Sequence, residues 1–256
     1  MDFMFNGDKY RQIWFLNKIF CIFASMETKQ AVRIQTSFLN AVEKKVLVWI
    51  AERLPRWVSS DLLSAIGFVG AVIIAAGFVL STRDINFLWL ASFGLIVNWF
   101  GDSLDGTIAR VRKHQRPVYG YYLDHMLDGI NESLMFIGAG LSSLMHLSLA
   151  LCVLVLYLLL TINVSINAHL KHEFKLTYAR LGPTEFRLII IIVNTLFIFI
   201  KPLREFSTNV SLLGFSASLS ALDIVAAAIS LILAVMFVVT MFNDLRDYDK
   251  IDPKTW

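Results

Sequence analysis

Cysteine and charge are both scarce in this sequence. Only two of the 256 residues are cysteines, Cys21 and Cys152, and charged residues make up 17% of the chain. Two isolated cysteines, one of them in an apolar stretch, exclude a disulfide framework or a cysteine-based zinc site. The net charge is only +3, and basic residues do not alternate with aromatic ones, so nothing predicts a nucleic-acid-binding surface.

Apolar residues, in contrast, are abundant. They account for 57% of the chain, and the mean hydropathy is +0.64. Long apolar runs of about 20 residues are long enough to cross a bilayer as helices. The sequence therefore predicts an all-α, polytopic membrane protein with about six transmembrane helices. The predicted spans are residues 61–81, 86–105, 119–147, 148–169, 186–200 and 221–242.

The basic residues predict the orientation of these spans. If the amino terminus is cytoplasmic, 20 of the 23 Lys and Arg residues fall on the cytoplasmic side. Only Arg83, Lys201 and Arg204 fall outside. This asymmetry is typical of the positive-inside rule. We therefore expect an integral protein of the bacterial inner membrane, with residues 106–118 in the cytoplasm.

The chain divides into three parts. Residues 1–34 form an amino-terminal extension of uncertain structure, within which Met26 is favoured as an alternative translation start because it leads directly into the apolar domain. Residues 35–245 form the predicted membrane domain, and residues 246–256 form a cytoplasmic tail. Residues 37–54 place apolar and charged side chains on opposite faces of a helix, which predicts an amphipathic helix at the membrane interface.

Four aspartates lie where the second and third spans reach the cytoplasm: Asp102, Asp105, Asp124 and Asp128. The first two are three residues apart and the last two are four residues apart, so each pair shares one face of a helix. Four carboxylates at a bilayer boundary would repel one another and would be poorly solvated. A divalent cation removes both problems, and ligation by oxygen alone favours Mg²⁺ or Mn²⁺.

The motif around these aspartates resembles that of the CDP-alcohol phosphatidyltransferase family, D-x-x-D-G-x-x-A-R followed by G-x-x-x-D-x-x-x-D. All eight motif positions are present: Asp102, Asp105, Gly106, Ala109, Arg110, Gly120, Asp124 and Asp128. Nine residues separate Arg110 from Gly120, one more than expected, and a turn absorbs such an insertion easily. The resemblance implies a membrane enzyme that moves a phosphatidyl group from CDP-diacylglycerol to a small polar alcohol and releases CMP.

The resemblance also implies roles for individual residues. The four aspartates would hold the metal, and Asp128 matches the position of the family's catalytic base. Small residues and one cation would contact the CDP group: Gly106, Ala109, Arg110 and Gly120. Arg180 and Arg187 are candidates for binding an anionic acceptor. The identity of the acceptor, the number of metal ions and the formation of a homodimer stay open.

Two other functions are compatible with acidic residues in a membrane. An intramembrane prenyltransferase also binds pyrophosphate through metal ions, but such enzymes generally need a second Asp-rich motif, which this chain lacks. A cation transporter would place carboxylates near the middle of the membrane and is often built from inverted repeats. Neither feature is visible in the sequence, so we rank both alternatives below phosphatidyl transfer.

Overall fold

The computed structural model describes residues 32–34, 40–171, 173–175, 183–212 and 215–254. Within these residues it contains eight α-helices: α1 (Asn40–Arg53), α2 (Ser60–Leu80), α3 (Leu88–Val111), α4 (Pro117–Gly140), α5 (Leu147–Lys171), α6 (Pro183–Phe199), α7 (Lys201–Arg204) and α8 (Ala221–Ile251). The all-α membrane fold predicted from the sequence is confirmed. The predicted amino-terminal extension lies almost entirely outside the described residues.

Two short strand pairs accompany the helices and were not predicted. Strand β1 (Val32–Ile34) pairs in parallel with β2 (Glu173–Lys175). Strands β3 (Ser207–Leu212) and β4 (Phe215–Ser220) form an antiparallel hairpin in which Ser207 pairs with Ser220. The strands of this hairpin are rich in serine, and most of their described side chains are exposed.

Four segments within the described residues are long and apolar enough to cross a membrane: Ser60–Leu80, Ile85–Val111, Leu147–Leu170 and Ala221–Ile251. Helices α4 and α6 correspond to the other two predicted spans. Helix α4 carries three acidic residues and α6 has 17 residues, so neither belongs to this group. The total of six spans stays a prediction. The third predicted span ends early, because α4 stops at Gly140 and a turn precedes α5.

Helices α2 and α3 lie in direct backbone contact at their glycines. A Cβ atom added to Gly101 would lie 2.3 Å from the backbone nitrogen of Gly67, and one added to Gly70 would lie 2.4 Å from that of Asn98. Small residues allow such close approach between membrane helices. As a result, Asp102 and Asp105 on α3 lie directly beside the amino-terminal half of α2.

Helix α1 packs on the protein with one face and leaves an apolar face exposed. Leu47 and Ala51 are buried in a cluster that includes Leu104 of α3. Val42, Val46 and Trp49 are exposed instead. An exposed apolar face is what an interfacial helix presents to lipid, so the exposed side chains agree with the amphipathic helix predicted from the sequence.

A cluster of hydrogen bonds around one buried aspartate lies at the end of the bundle opposite the aspartate motif. Asp223, at the start of α8, is fully buried. Its carboxylate accepts hydrogen bonds from the backbone nitrogens of His146 (2.7 Å) and Ser220 (2.8 Å) and lies 2.6 Å from His146 Nδ1. The Ser220 hydroxyl completes a capping box on α8. These bonds join α8 to the turn before α5.

Candidate metal centre

Three of the four motif aspartates converge between α3 and α4. Asp102, Asp124 and Asp128 each offer a carboxylate oxygen, and these oxygens all lie within 4.8 Å of one another. Oxygens that ligate one Mg²⁺ ion at its usual bond length lie about 3 to 4 Å apart. The three residues are only partly exposed, and they have the donor set that a hard divalent cation prefers. Their arrangement therefore fits a divalent metal ion.

Arg187 of α6 reaches this cluster from the side. Its Nη2 atom donates to Asp102 Oδ2 at 2.7 Å, and its Nε atom donates to Asn98 Oδ1 at 3.1 Å. Asn98 is fully buried and donates in turn to the backbone oxygen of Gly67 at 2.9 Å. The guanidinium thus fixes one oxygen of Asp102 and leaves the other oxygen for a metal. Arg187, a candidate for acceptor binding from the sequence, lies beside the cluster, and its described partners are the protein groups Asp102 and Asn98.

Asp105 lies next to the cluster and faces α2. Its Oδ2 accepts from the Ser64 hydroxyl at 2.6 Å, and its Oδ1 accepts from the backbone nitrogen of Gly106. Its backbone oxygen also accepts from Ser60 at 2.9 Å. Asp105 lines one pocket together with Asp102 and Asp124. It is therefore close to the other carboxylates, but it is held in place by neighbours of its own.

The motif glycines leave open space around the cluster. A Cβ added to Gly120 would meet nothing within 4 Å, and one added to Gly106 would meet only the Arg110 side chain, at 3.3 Å. Arg110 donates to the Thr107 hydroxyl at 3.0 Å. Close helix approach is made elsewhere, by the glycines of the α2–α3 contact. The motif glycines therefore keep room for a ligand.

This geometry agrees with the comparison to known families. The family model of the CDP-alcohol phosphatidyltransferases matches residues 57–240, more than two thirds of the chain. The chain belongs to the CDP-alcohol phosphatidyltransferase family. Members of this family are phosphotransferases that act in lipid synthesis on CDP-alcohol and alcohol substrates, and they depend on divalent metal ions. No individual curated protein matches the sequence.

Several polar residues at the site were not assigned to it from the sequence. Ser64 donates a hydrogen bond to Asp105, and Asn98 accepts one from Arg187. Asn131 and Glu132 follow Asp128 on α4. Glu132 continues the four-residue spacing of Asp124 and Asp128, and this spacing was the available signal. The other candidate for acceptor binding, Arg180, lies outside the described residues.

Proposed function

We propose that this protein transfers a phosphatidyl group from CDP-diacylglycerol to an alcohol, with release of CMP, and that it requires Mg²⁺ or Mn²⁺. The convergence of Asp102, Asp124 and Asp128 carries this proposal, because the cluster lies at the motif of a family that performs phosphatidyl transfer. The proposed site faces the cytoplasm of a bacterial inner membrane, where the predicted topology puts the basic loops.

The four motif aspartates would hold the metal in this proposal. Asp102, Asp124 and Asp128 offer converging oxygens, and Asp105 borders the same pocket. When bound, the metal would polarise the pyrophosphate of the donor and neutralise the charge that develops on CMP. Arg187 keeps Asp102 oriented, and Ser64 does the same for Asp105. Gly106, Ala109, Arg110 and Gly120 would border the CDP group.

Asp128 is the proposed general base. It is the deeper of the two motif carboxylates on α4, four residues and about 6 Å beyond Asp124. In the proposed reaction, the alcohol oxygen forms a bond to the phosphatidyl phosphorus while the bond from this phosphorus to the CMP oxygen breaks. CMP leaves with the electron pair, and the proton of the hydroxyl passes to the Asp128 carboxylate. Atoms and charges balance without any further reactant.

The location of the cluster supports a substrate that is part lipid and part nucleotide. Asp102 lies near the end of a span-length helix, and exposed apolar side chains cover the membrane part of the bundle. A lipid donor at this boundary keeps its acyl chains in the bilayer, while its cytidine and the alcohol reach the aspartates from water. A prenyl donor would share the lipid tail but would yield pyrophosphate instead of CMP.

Release of CMP tests the proposal directly. Purified protein in detergent or vesicles is incubated with CDP-diacylglycerol, Mn²⁺ and a panel of alcohols, and CMP is measured by chromatography. We expect CMP and a new phospholipid only when both substrates are present, and we expect EDTA to stop the reaction until Mg²⁺ or Mn²⁺ is added back. Turnover of a prenyl diphosphate in place of CDP-diacylglycerol would reject the proposal.

The orientation needs a separate experiment. Lys113 is exposed in the turn between α3 and α4, so Lys113→Cys offers a thiol for an impermeant reagent. We expect labelling only after the cytoplasmic face has been opened. An Arg83→Cys variant, in the turn between α2 and α3, is the matched control and should label from the outside. The reverse labelling pattern would place the site on the side of the membrane opposite its cytoplasmic nucleotide substrate.

A further inference from the structure

Among the described residues, two buried oxygen atoms next to the candidate metal centre have no hydrogen-bond donor. They are Oδ1 of Asn131 and Oε2 of Glu132, which are neighbours on α4. Asn131 is only 6% exposed and lines the pocket that contains Asp102 and Asp124. An acceptor atom that is buried without a partner costs free energy, and this cost rises at membrane depth. Both oxygen atoms can therefore accept a hydrogen bond from a bound ligand.

These atoms lie on the deep side of the proposed base. Glu132 is four residues beyond Asp128, which is about 6 Å along the axis of α4 and on the same face. Tyr157 of α5 interacts with the Glu132 carboxylate through its hydroxyl. An alcohol that gives its proton to Asp128 can therefore direct a second polar group toward Glu132, one helical turn away.

The charges around Asp128 restrict the chemistry of this second polar group on the acceptor alcohol. Asp102, Asp124 and Glu132 are acidic neighbours of Asp128, and Arg187 is the cation that acts on it. Arg187 already bonds to Asp102 and Asn98. Another described cation, Arg112, donates to backbone oxygens of the α1–α2 connection. A phosphate beside Glu132 would meet like charge, whereas an ammonium or hydroxyl group would meet a hydrogen-bond acceptor.

We infer that Glu132, with Asn131 beside it, binds the acceptor alcohol through a second hydrogen-bond donor on that molecule. The acceptor class is a small alcohol that carries a further hydroxyl or ammonium group and no phosphate. The inference rests on the proposed transfer reaction and adds the choice of acceptor to it. The alternative is an anionic acceptor, for which Arg180 and Arg187 are the candidate residues.

The test combines an acceptor panel with substitutions at Glu132. CMP release is measured with glycerol, myo-inositol, serine, ethanolamine and glycerol 3-phosphate at equal concentrations. We expect turnover with one of the first four. For that acceptor, Glu132→Ala should raise KM on the order of tenfold or more, because a hydrogen bond to a charged group is lost. The KM for CDP-diacylglycerol should stay unchanged, which also shows that the variant is folded.

Glu132→Gln separates the two kinds of donor. The amide oxygen still accepts from a hydroxyl, so the KM for a polyol should rise less than in Glu132→Ala. The amide carries no charge, so the KM for an ammonium acceptor should rise nearly as much as in Glu132→Ala. This isosteric variant decides the question if Glu132→Ala does not fold. Glu205→Gln, at an exposed carboxylate on the other side of the bundle, is the matched control and should keep every KM.

Three results would overturn the inference. Turnover with glycerol 3-phosphate alone would show that the acceptor is an anion. An unchanged acceptor KM in both Glu132 variants would show that this carboxylate does not touch the acceptor. In either case CMP release would still support phosphatidyl transfer. The absence of CMP release with every alcohol would remove the proposed function, and the assignment of Glu132 with it.

Discussion

Asp102 and Arg187 are 85 residues apart in the chain, yet Arg187 Nη2 lies 2.7 Å from Asp102 Oδ2. The pair joins α3 to α6 at the edge of the aspartate cluster. Its side chains are 24% and 14% exposed, so solvent screens the interaction less than it screens a surface ion pair. Because Arg187 also bonds to Asn98, its planar guanidinium sets the direction of the Asp102 carboxylate.

Replacing Arg187 should therefore impair catalysis through Asp102. We expect Arg187→Gln to lower CMP release at least about tenfold, since hydrogen bonds to charged groups contribute about 1.5–3 kcal/mol. Arg187→Lys should recover only part of the rate, because an ammonium cannot bond to Asp102 and Asn98 in the same geometry. Arg246→Gln, at an exposed residue of α8, is the control. Wild-type activity in Arg187→Gln would show that Asp102 needs no such support.

Asp128→Asn should separate catalysis from binding. Asparagine keeps the shape of the side chain and still accepts a hydrogen bond, but it does not take up a proton at neutral pH. Loss of a general base lowers the rate by about 10² to 10⁴, so kcat should fall by that amount while the KM for CDP-diacylglycerol changes little. Asp252→Asn, at an exposed position, is the control.

The Mn²⁺ dependence of the same variant provides a second readout. If Asp128 acts mainly as the base, the Mn²⁺ concentration that gives half-maximal activity should stay close to the wild-type value. A large increase in that concentration, accompanied by weaker CDP-diacylglycerol binding, would instead make Asp128 chiefly a metal ligand. Asp124→Asn is the useful comparison, since we expect it to show this second behaviour.

Two glycine substitutions should have opposite consequences. Gly101→Ala forces a Cβ atom against the Gly67 backbone, and overpacking of this kind costs about 1–3 kcal/mol. We expect a lower unfolding temperature in detergent and little activity. Gly120→Ala meets no neighbour within 4 Å, so its stability should be unchanged while its KM for CDP-diacylglycerol rises. If Gly120→Ala is as active as the wild type, that open space does not receive the donor.

Asp223 should contribute to stability and not to chemistry. Asp223→Ala leaves the backbone nitrogens of His146 and Ser220 without their acceptor, and we expect it to lower the free energy of unfolding by about 2–4 kcal/mol. Because Asp223 lies at the opposite end of the bundle from Asp102, the activity of each folded molecule should stay the same. Asp252→Ala, at an exposed position after α8, should have little effect on either quantity.

The helices and the aspartate motif were accessible from the sequence because both depend on local spacing. Apolar runs predict membrane helices, and the spacing of Asp124 and Asp128 puts both on one face whatever the rest of the fold does. The pairing of Arg187 with Asp102 depends on how α6 packs against α3, which no local pattern encodes. The same limit applies to Ser64, whose bond to Asp105 follows from the packing of α2 against α3.

Glu132 was missed for a different reason. It lies in a stretch that the sequence assigned to a membrane span. A single acidic residue after the aspartate motif was not recognised there as a site residue of its own. Its spacing from Asp128 was visible, but its significance depends on Tyr157 and on the missing donor at Oε2. The β3–β4 hairpin was likewise outside a prediction based on apolar runs, because its strands are short and mostly polar.

The glycine contact between α2 and α3 also limits how such a protein can diverge. Where the two backbones touch, a larger side chain has no space, so the glycines of this contact tolerate few substitutions. New substrate preferences therefore have to arise on the other walls of the site, formed by α4, α5 and α6. Those helices contribute longer side chains such as Glu132, Tyr157 and Arg187, which evolution can exchange without separating the pair that carries Asp102 and Asp105.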